Sequence, residues 1–369
     1  MNFNQFSLTA TLLQHLGCQM RIGIFCNTFG RSGGMETYAL NMVKACLQLG
    51  HEPVVFCKKA DRSLPFATQC EIHEYSLKFL PNKLYLWLFH RWLTKITKTV
   101  PVEFSIGCCL GGFPEAVACG GTRIGYLKAM RKPIMPWDRM LINIEQASYK
   151  NAKFVIAHAQ TMEHELIKLY GINPSKISVI YPPQQFPEIK KLPNTTELRK
   201  TYDLPEDKTI FLFPSLSHKR KGFDLLQKYF TTTKHNVLLA VAGKPIPTGC
   251  KNIQHLGFCK NMQEIYQLSD YTILASFYDP LGTVGIESVW NGTPTVMANG
   301  IGCHEVIDPR VIRGFDPYSY ESLYQCLENL HDHPIQKLEQ PYQKYLNYPV
   351  EKTPAIHLQE IIQLLTSSK

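Results

Sequence analysis

Short apolar runs alternate with helical stretches along most of the chain, and each run has the length of one buried strand. The first run, residues 20–26, is followed by a glycine-rich loop, a helical stretch over residues 35–49 and a second apolar run over residues 54–57. Gly50 predicts the end of the helix, because glycine readily adopts the left-handed conformation that follows a helix. This strand–helix–strand order predicts a parallel sheet with helices on both faces.

The same alternation continues on both sides of a proline-rich segment. Residues 181–187 contain three prolines and cannot continue a strand or a helix, so they predict an interdomain connector. We therefore predict an α/β protein of two doubly wound domains that face a central cleft, with ligands beyond the carboxyl ends of the strands. Further strands are predicted over residues 103–107, 154–158, 177–181, 209–214, 236–242, 271–275 and 294–297, and further helices over residues 84–99, 161–170, 223–229, 262–268, 283–290, 320–329 and 356–365.

The composition agrees with two globular domains. A chain of 369 residues is long enough for both, and 44% hydrophobic with 19% charged residues excludes disordered, collagen-like and coiled-coil chains. The densest apolar run, residues 84–89, is six residues long, whereas a membrane-spanning helix needs about 18. We therefore expect a soluble protein of the cytoplasm.

The cysteines and the N-terminus point to the same compartment. The 12 cysteines are scattered without a C-x-x-C pair, which predicts free thiols in a reducing cytosol. Residues 1–17 lack the basic start and apolar core of a secretory signal. Because the first convincing strand begins at Met20, residues 1–19 are predicted to be an N-terminal extension, with a start codon assigned too early as the alternative. Residues 303–305, Cys-His-Glu, are adjacent and cannot close a tetrahedral site alone, and we expect no metal.

The net charge of +9 (39 − 30) lies entirely in the first half of the chain. Residues 1–180 carry 20 Lys and Arg against 11 Asp and Glu, whereas residues 181–369 carry 19 of each. This distribution favours an acidic partner of the first half, such as anionic lipid, a phosphorylated acceptor or nucleic acid. A solvated basic surface that binds nothing is the alternative. We expect no nucleic-acid partner, because no recognised binding module accompanies the charge.

Two loops at predicted strand ends carry residues suited to a diphosphate. In residues 30–34 the backbone N–H groups of Gly33 and Gly34 lie beside a helix start, which suits an oxyanion. The alternative is a tight turn that requires glycine at positive φ. Residues 218–222 read His-Lys-Arg-Lys-Gly and follow a strand. There the guanidinium of Arg220 would donate two hydrogen bonds to a diphosphate, and the ammonium of Lys221 would add a compact positive charge. The alternative is a solvated surface.

A third loop carries two carboxylates. Asp279 lies in a loop after a predicted strand, and Glu287 lies about one turn into the helix that begins near Thr283. Two acceptors for sugar hydroxyls beside donors for phosphate are what a nucleotide-sugar site requires. The alternatives are a turn or capping carboxylate at Asp279 and an exposed helix charge at Glu287. The N–H groups that are free at the positive helix end belong to Gly282, Thr283 and Val284.

Together these motifs resemble the GT-B glycosyltransferases of family 4, and within that family the bacterial lipopolysaccharide-core glucosyltransferases. The likeness covers roughly residues 20–330 and is most specific over residues 209–307. It implies an acceptor domain over residues 20–183, a donor domain over residues 184–345, and a segment over residues 346–369 whose helix returns to the first domain. The residues that carry the likeness are Gly33-Gly34, Arg220-Lys221-Gly222, the acidic-x7-Glu motif of Asp279 and Glu287, and residues 291–296 and 300–307.

The resemblance implies retaining transfer of a hexose from a nucleoside diphosphate sugar to a saccharide or glycolipid acceptor. A UDP sugar is the expected donor. No metal or other cofactor is implied. Asp279 stands where most members have Glu. A catalytically degenerate binding subunit and another GT-B sugar enzyme, such as a phosphorylase or an epimerase, are the alternatives. By this resemblance Glu287 would bind the ribose hydroxyls, and Asp279 would contact the transferred sugar. The diphosphate would be bound by Arg220 and Lys221 and approached by Gly33 and Gly34.

A basic amphipathic stretch favours peripheral attachment to the inner membrane. Within residues 84–99 the cations lie on one face and the apolar side chains on another, which suits an anionic bilayer surface. The alternative is a domain helix with its apolar face in the core. The cations are Arg91, Lys95 and Lys98, and the apolar face is Leu86, Phe89, Leu93 and Ile96. A second basic cluster consists of Lys128, Arg131, Lys132, Trp137 and Arg139, and the candidates for the acceptor side are Gly120, Gly121 and Arg123.

Overall fold

The computed structural model describes residues 19–30, 33–77, 82–189, 195–247 and 249–367. Apart from its last residue, the predicted N-terminal extension lies outside the described residues. The elements before residue 180 are β1 (Arg21–Phe29), α1 (Gly34–Gln48), β2 (Glu52–Ala60), β3 (Glu71–Glu74), α2 (Asn82–Ile96), β4 (Phe104–Gly107), β5 (Ala116–Cys119), α3 (Arg123–Ala129), α4 (Pro136–Asn151), β6 (Phe154–Ala157), α5 (Gln160–Tyr170) and β7 (Ile177–Val179).

The second series of elements follows residues 181–189, which form neither strand nor helix. It consists of α6 (Thr195–Thr201), β8 (Thr209–Ser215), α7 (Phe223–Thr232), β9 (Val237–Gly243), β10 (Ile253–Gly257), α8 (Met262–Leu268), β11 (Tyr271–Leu274), α9 (Thr283–Trp290), β12 (Thr295–Ala298), β13 (Ile312–Phe315), α10 (Tyr320–Asp332) and α11 (Pro354–Ser367).

The strands form two sheets. One has seven strands in the order β3-β2-β1-β4-β5-β6-β7, and the other has six in the order β10-β9-β8-β11-β12-β13. The described strand pairs are parallel, with Arg21 opposite Glu52 in one sheet and Thr209 opposite Val237 in the other. The predicted parallel α/β class is therefore confirmed. Parallel order places the carboxyl ends of neighbouring strands at one edge, where ligands bind in such sheets.

The predicted strands and helices are present within a few residues of their predicted bounds, and the pattern missed several further elements. The longest of these is α4, whose buried residues include Asp138, Glu145 and Ser148. Because polar side chains occupy positions on its buried face, the apolar periodicity that would predict a helix is interrupted. The missed elements are β3, β5, α3, α4, α6, β10 and β13.

The chain divides into two compact units. Unit 1 consists of residues 1–118, 136–156 and 352–369, and unit 2 consists of residues 119–135 and 157–351. Within unit 1 the last helix, α11, packs on α1, and the hydroxyl of Tyr38 lies 2.8 Å from Nε2 of buried His357. The domain boundaries at residues 183 and 345 stay a prediction.

The apolar face of α2 packs into the core of unit 1. Phe89 and Leu93 are fully buried against Phe25 and Phe56, and Ile96 packs on the same cluster. Of the two interpretations of this amphipathic stretch, the domain helix with its apolar face in the core is therefore the one observed. No helix among the described residues is long and apolar enough to cross a membrane.

Candidate nucleotide-sugar site

A cavity of about 340 Å³ lies in unit 2, next to the carboxyl ends of β8 and β9. Its wall combines two cations and a carboxylate with an apolar part that includes Phe258 and Met262. Four of the predicted site residues line it. The lining residues are Pro214, Ser215, Leu216, Ser217, Arg220, Lys221, Ala242, Gly243, Phe258, Cys259, Met262, Tyr266, Val284 and Glu287.

The loop after β8 brings its cations to the cavity because Gly222 allows a close approach of two backbone segments. Gly222 has φ +71°, and a Cβ there would lie 2.1 Å from the carbonyl oxygen of Ala275 at the end of β11. The N–H of Phe277 donates to the carbonyl of Arg220 at 3.0 Å. These contacts hold the loop against the strand that leads to Asp279.

His218 fixes the other side of this loop. Its Nε2 lies 3.1 Å from the carbonyl oxygens of Lys244 and Pro245, and its Nδ1 lies 2.8 Å from Oγ of Ser215. Two carbonyl acceptors require a proton on Nε2, so Nδ1 of a neutral ring accepts from the Ser215 hydroxyl. The histidine therefore connects the loop after β8 to the loop after β9.

Arg220 and Lys221 are both engaged with the loops around the cavity. Nη1 of Arg220 donates to the carbonyl of Tyr278 at 2.6 Å and lies 3.7 Å from Oδ2 of Asp279. Nζ of Lys221 donates to the carbonyl of Pro214 at 2.9 Å. Burial lowers the pKa of Lys221, and the neighbouring charge of Asp279 opposes that shift. A buried ammonium that has one described protein acceptor retains donors for an anionic ligand.

Glu287 lies on α9 and faces the cavity. The hydroxyl of Tyr266 donates to Oε2 of Glu287 at 2.9 Å. Burial raises the pKa of Glu287, and the Tyr266 hydrogen bond and the charge of Lys221 oppose the rise. The predicted alternative of an exposed helix charge is therefore wrong, because this carboxyl is largely buried beside a cation.

The start of α9 is also set by a glycine. Gly282 precedes the helix with φ +66°, and a Cβ there would lie 2.1 Å from Cγ2 of Ile301. The first N–H groups of an α-helix have no acceptor within the helix and carry the positive end of its dipole. The first turn of α9, which includes Thr283 and Val284, therefore offers anion-binding groups next to Glu287.

Gly33 and Gly34 lie at the start of α1 in unit 1, whereas the lining residues of the cavity belong to unit 2. Gly33 has an extended backbone with φ 179°, and Gly34 is not among the glycines with positive φ. The alternative of a turn that requires positive φ is therefore wrong at both positions. Their predicted contact with a diphosphate stays a prediction.

Among the lining residues that sequence reasoning missed are three large side chains. Tyr266 and Met262 lie four residues apart on one face of α8, and that spacing indicates only a buried helix face. Phe258 follows β10, which the pattern did not predict, and is 79% exposed. No sequence signal marked Phe258, because neither β10 nor the exposure of this ring could be predicted from the pattern.

Comparisons with known proteins agree with this geometry. The family described as "Glycosyl transferases group 1" matches residues 194–345, which contain the whole cavity, and "Glycosyltransferase Family 4" matches residues 32–106. A probable transglycosylase of Burkholderia thailandensis is 35% identical over 301 residues, which are 81% of this chain and 83% of the relative.

Two solved structures show the same fold. WaaG, a glycosyltransferase involved in lipopolysaccharide biosynthesis, has a TM-score of 0.72 at 17% identity over 94% of this chain and 97% of its own. HepE of Anabaena, solved with UDP and glucose, has a TM-score of 0.64 at 14% identity over 95% of this chain and 100% of its own. The cavity, the two parallel sheets and the sequence matches lead to one conclusion: the chain belongs to the group 1 glycosyltransferases of family 4 and has their GT-B fold.

Proposed function

We propose that this glycosyltransferase moves a hexose from a UDP sugar to a saccharide or glycolipid acceptor with retention of configuration, in the synthesis of lipopolysaccharide or another cell-surface glycan. The observation that carries the proposal is the cavity that brings Arg220, Lys221 and Glu287 together beside the start of α9. UDP and glucose are named for HepE, and lipopolysaccharide biosynthesis for WaaG, and both share the fold.

Each group has one task in the proposed reaction. The bond between the sugar C1 and the diphosphate oxygen breaks, and C1 forms a bond to the acceptor oxygen on the same face. The acceptor proton passes to the departing phosphate oxygen. Arg220 and Lys221 stabilise the charge that develops there. Glu287 accepts from the ribose hydroxyls, and Asp279, 3.7 Å from Arg220, contacts the transferred sugar.

Glu287→Ala is expected to weaken UDP binding by about 1–3 kcal/mol, the size of charge-assisted hydrogen bonds. The measurement is a thermal-shift titration of the wild type and of Glu287→Ala with UDP, because a ligand that binds the folded state raises its stability. The wild type is also titrated with GDP, ADP and the glucose conjugates of all three nucleotides. Glu321→Ala, at an exposed glutamate in the first turn of α10, is the matched control. Unchanged UDP affinity in Glu287→Ala would contradict the assignment of this cavity.

Turnover separates the enzyme from the alternatives. Release of UDP from UDP-glucose in the presence of saccharide acceptors is expected for the wild type and lost in Glu287→Ala. Proton NMR of the product is expected to show the anomeric configuration of the donor. Donor binding without UDP release over a broad acceptor panel would favour a binding subunit, and an inverted product would overturn retention.

We also propose peripheral attachment to an anionic membrane through residues 131–135. Ile134 and Met135 are 45% and 38% exposed in a stretch that carries two cations, which suits a bilayer interface. In vesicle sedimentation Ile134→Asp is expected to reduce binding to vesicles containing phosphatidylglycerol by about fivefold. Ile356→Asp, at a 50% exposed isoleucine of α11, is the control. Equal wild-type recovery on neutral and anionic vesicles would contradict the proposal.

A further inference from the structure

Ser215 ends β8 and lines the cavity that holds Glu287, with its side chain almost fully buried. Its Oγ lies 2.8 Å from Nδ1 of His218. Nε2 of His218 carries the proton that the carbonyls of Lys244 and Pro245 accept, so Nδ1 holds a lone pair. The serine hydroxyl donates its only proton to that lone pair. Ser215 therefore offers a ligand in the cavity a lone pair and no proton.

The ring of His218 is held in the orientation that this arrangement requires. It packs on the rings of Phe213 and Phe223, which are buried, with ring centres at 6.2 Å and 5.1 Å. A half turn of the imidazole would exchange its nitrogens for C–H groups and break the hydrogen bonds on both sides. His218 does not line the cavity itself. It therefore acts on a ligand only through Ser215.

The sheet gives the cavity two different ends. In the strand order β10-β9-β8-β11, the apolar lining residues Phe258 and Met262 follow β10. Arg220 reaches the opposite side, because its Nη1 lies 3.7 Å from Oδ2 of Asp279 in the loop after β11. A nucleotide is apolar and planar at its base and anionic at its diphosphate. The base therefore fits the end near β10, and the diphosphate fits the end near β11.

Ser215 belongs to the base end of this cavity. It lies opposite Gly243 at the end of β9, whereas the described pairs of β8 with β11 end at Leu212. A Cβ at Gly243 would lie 2.3 Å from the carbonyl oxygen of Ser215, and the N–H of Lys244 donates to that oxygen at 3.0 Å. A lone pair repels a phosphate oxygen and attracts an N–H group. The polarity of Ser215 and its place in the sheet therefore agree.

We propose that Ser215 accepts a hydrogen bond from the nucleobase of the donor, and that His218 is the positioning residue that makes it a hydrogen-bond acceptor. This inference rests on the proposed function, which places a nucleotide sugar in the cavity. N3 of uracil carries a hydrogen and donates it. N3 of cytosine carries a lone pair, which would face the lone pair of Ser215. The cavity therefore takes a uridine diphosphate sugar and rejects the cytidine diphosphate sugar.

Isothermal titration of the full-length protein with UDP and CDP at neutral pH tests this selection, because the two probes share their ribose and diphosphate. The wild type is expected to bind UDP at least about tenfold more tightly than CDP, since cytosine leaves two hydrogen-bond acceptors facing each other. Ser215→Ala removes the lone pair and is expected to bring the two affinities within about threefold of each other. 2′-Deoxy-UDP is expected to lose the same factor in both proteins, because Glu287 binds the ribose.

Two substitutions of His218 separate positioning from structural support. His218→Gln keeps an N–H for the carbonyls of the loop after β9 and loses the acceptor beside Ser215. The released hydroxyl can donate to cytosine, so the ratio of UDP to CDP affinity is expected to fall at least about fivefold. His218→Asn keeps an oxygen near the position of Nδ1 and is expected to retain the ratio. The matched control is His255→Gln, at an exposed histidine whose Nε2 lies 3.0 Å from the carbonyl oxygen of Gly243, and it is expected to change nothing.

The outcomes separate the two proposals. If UDP does not bind the wild type, the proposed function fails and this inference falls with it. If UDP binds and CDP binds equally well, or if both His218 variants change the two affinities by the same factor, only the inference is overturned. If Ser215→Ala changes the loss with 2′-deoxy-UDP and leaves the ratio of UDP to CDP affinity intact, Ser215 contacts the ribose and the inference is overturned as well. Equal melting temperatures of the variants confirm that each is folded.

Discussion

Lys221→Met is expected to lower kcat/KM for the UDP sugar by about 10²–10³-fold, the range seen when one group that stabilises transition-state charge is removed. Lys221 lines the cavity, and its Nζ has the carbonyl of Pro214 as its described acceptor. A diphosphate would supply the remaining acceptors, and its negative charge grows as the sugar leaves. Methionine keeps the length of the side chain and removes the charge.

The same substitution is expected to leave the free energy of unfolding unchanged or to raise it. Burial lowers the pKa of Lys221 below its ordinary value of 10.5. A lysine whose folded-state pKa is lowered binds its proton more weakly than in the unfolded chain, so the charged form costs stability at neutral pH. The cost disappears as the pH rises from the lowered pKa to 10.5. Loss of activity with no loss of stability is the pattern of a functional residue.

Steady-state UDP release and urea unfolding at neutral pH measure the two effects. Lys219→Met is the matched control, because Lys219 lies in the same loop but is exposed and does not line the cavity. Its kcat/KM is expected to stay within about twofold of the wild type. If Lys221→Met releases UDP at the wild-type rate, Lys221 does not act on the diphosphate. If its free energy of unfolding is lower than that of the wild type, Lys221 is a structural residue.

The fold was largely predictable because each apolar run matched a strand that is buried on both faces. The strands β8 and β9, with five and six buried residues of seven, are of this kind. The edge strand β3 has no buried residue, so the hydrophobic pattern carried no signal for it. Helix α4 was missed because the polar residues Glu145 and Ser148 lie on its buried face and interrupt the apolar periodicity.

The charged residues of the site could be predicted from the sequence, whereas the residues that hold them in place could not. Arg220 and Lys221 were identified because they follow a predicted strand of a doubly wound sheet, where ligands bind. Glu287 was identified because its spacing from Asp279 matches the motif that carries the family resemblance. Tyr266 did not stand out, since its contact with Glu287 joins residues 21 positions apart on two helices. Such a contact depends on how the helices pack, which local spacing does not encode. The Thr122–Tyr278 bond spans 156 positions and was beyond sequence reasoning for the same reason.

Gly222→Ala is expected to destabilise the protein by about 3 kcal/mol and to weaken UDP binding at least about tenfold. Alanine at positive φ costs about 1 kcal/mol, and overpacking against fixed neighbours costs about 1–3 kcal/mol more. The new Cβ would lie 2.1 Å from the carbonyl oxygen of Ala275, which is backbone at the end of a buried strand. The loop must therefore move, and Arg220 and Lys221 move with it.

Gly171→Ala separates the two contributions. Gly171 follows α5 with φ +63°, close to the φ of Gly222, but a Cβ there would meet nothing within 4 Å. It is therefore expected to cost only the roughly 1 kcal/mol of the left-handed backbone and to leave UDP affinity unchanged. Urea unfolding and UDP titration of both variants give the comparison. Equal destabilisation by the two substitutions would mean that the loop yields without strain, and that the close approach of Gly222 to β11 does not position the cations.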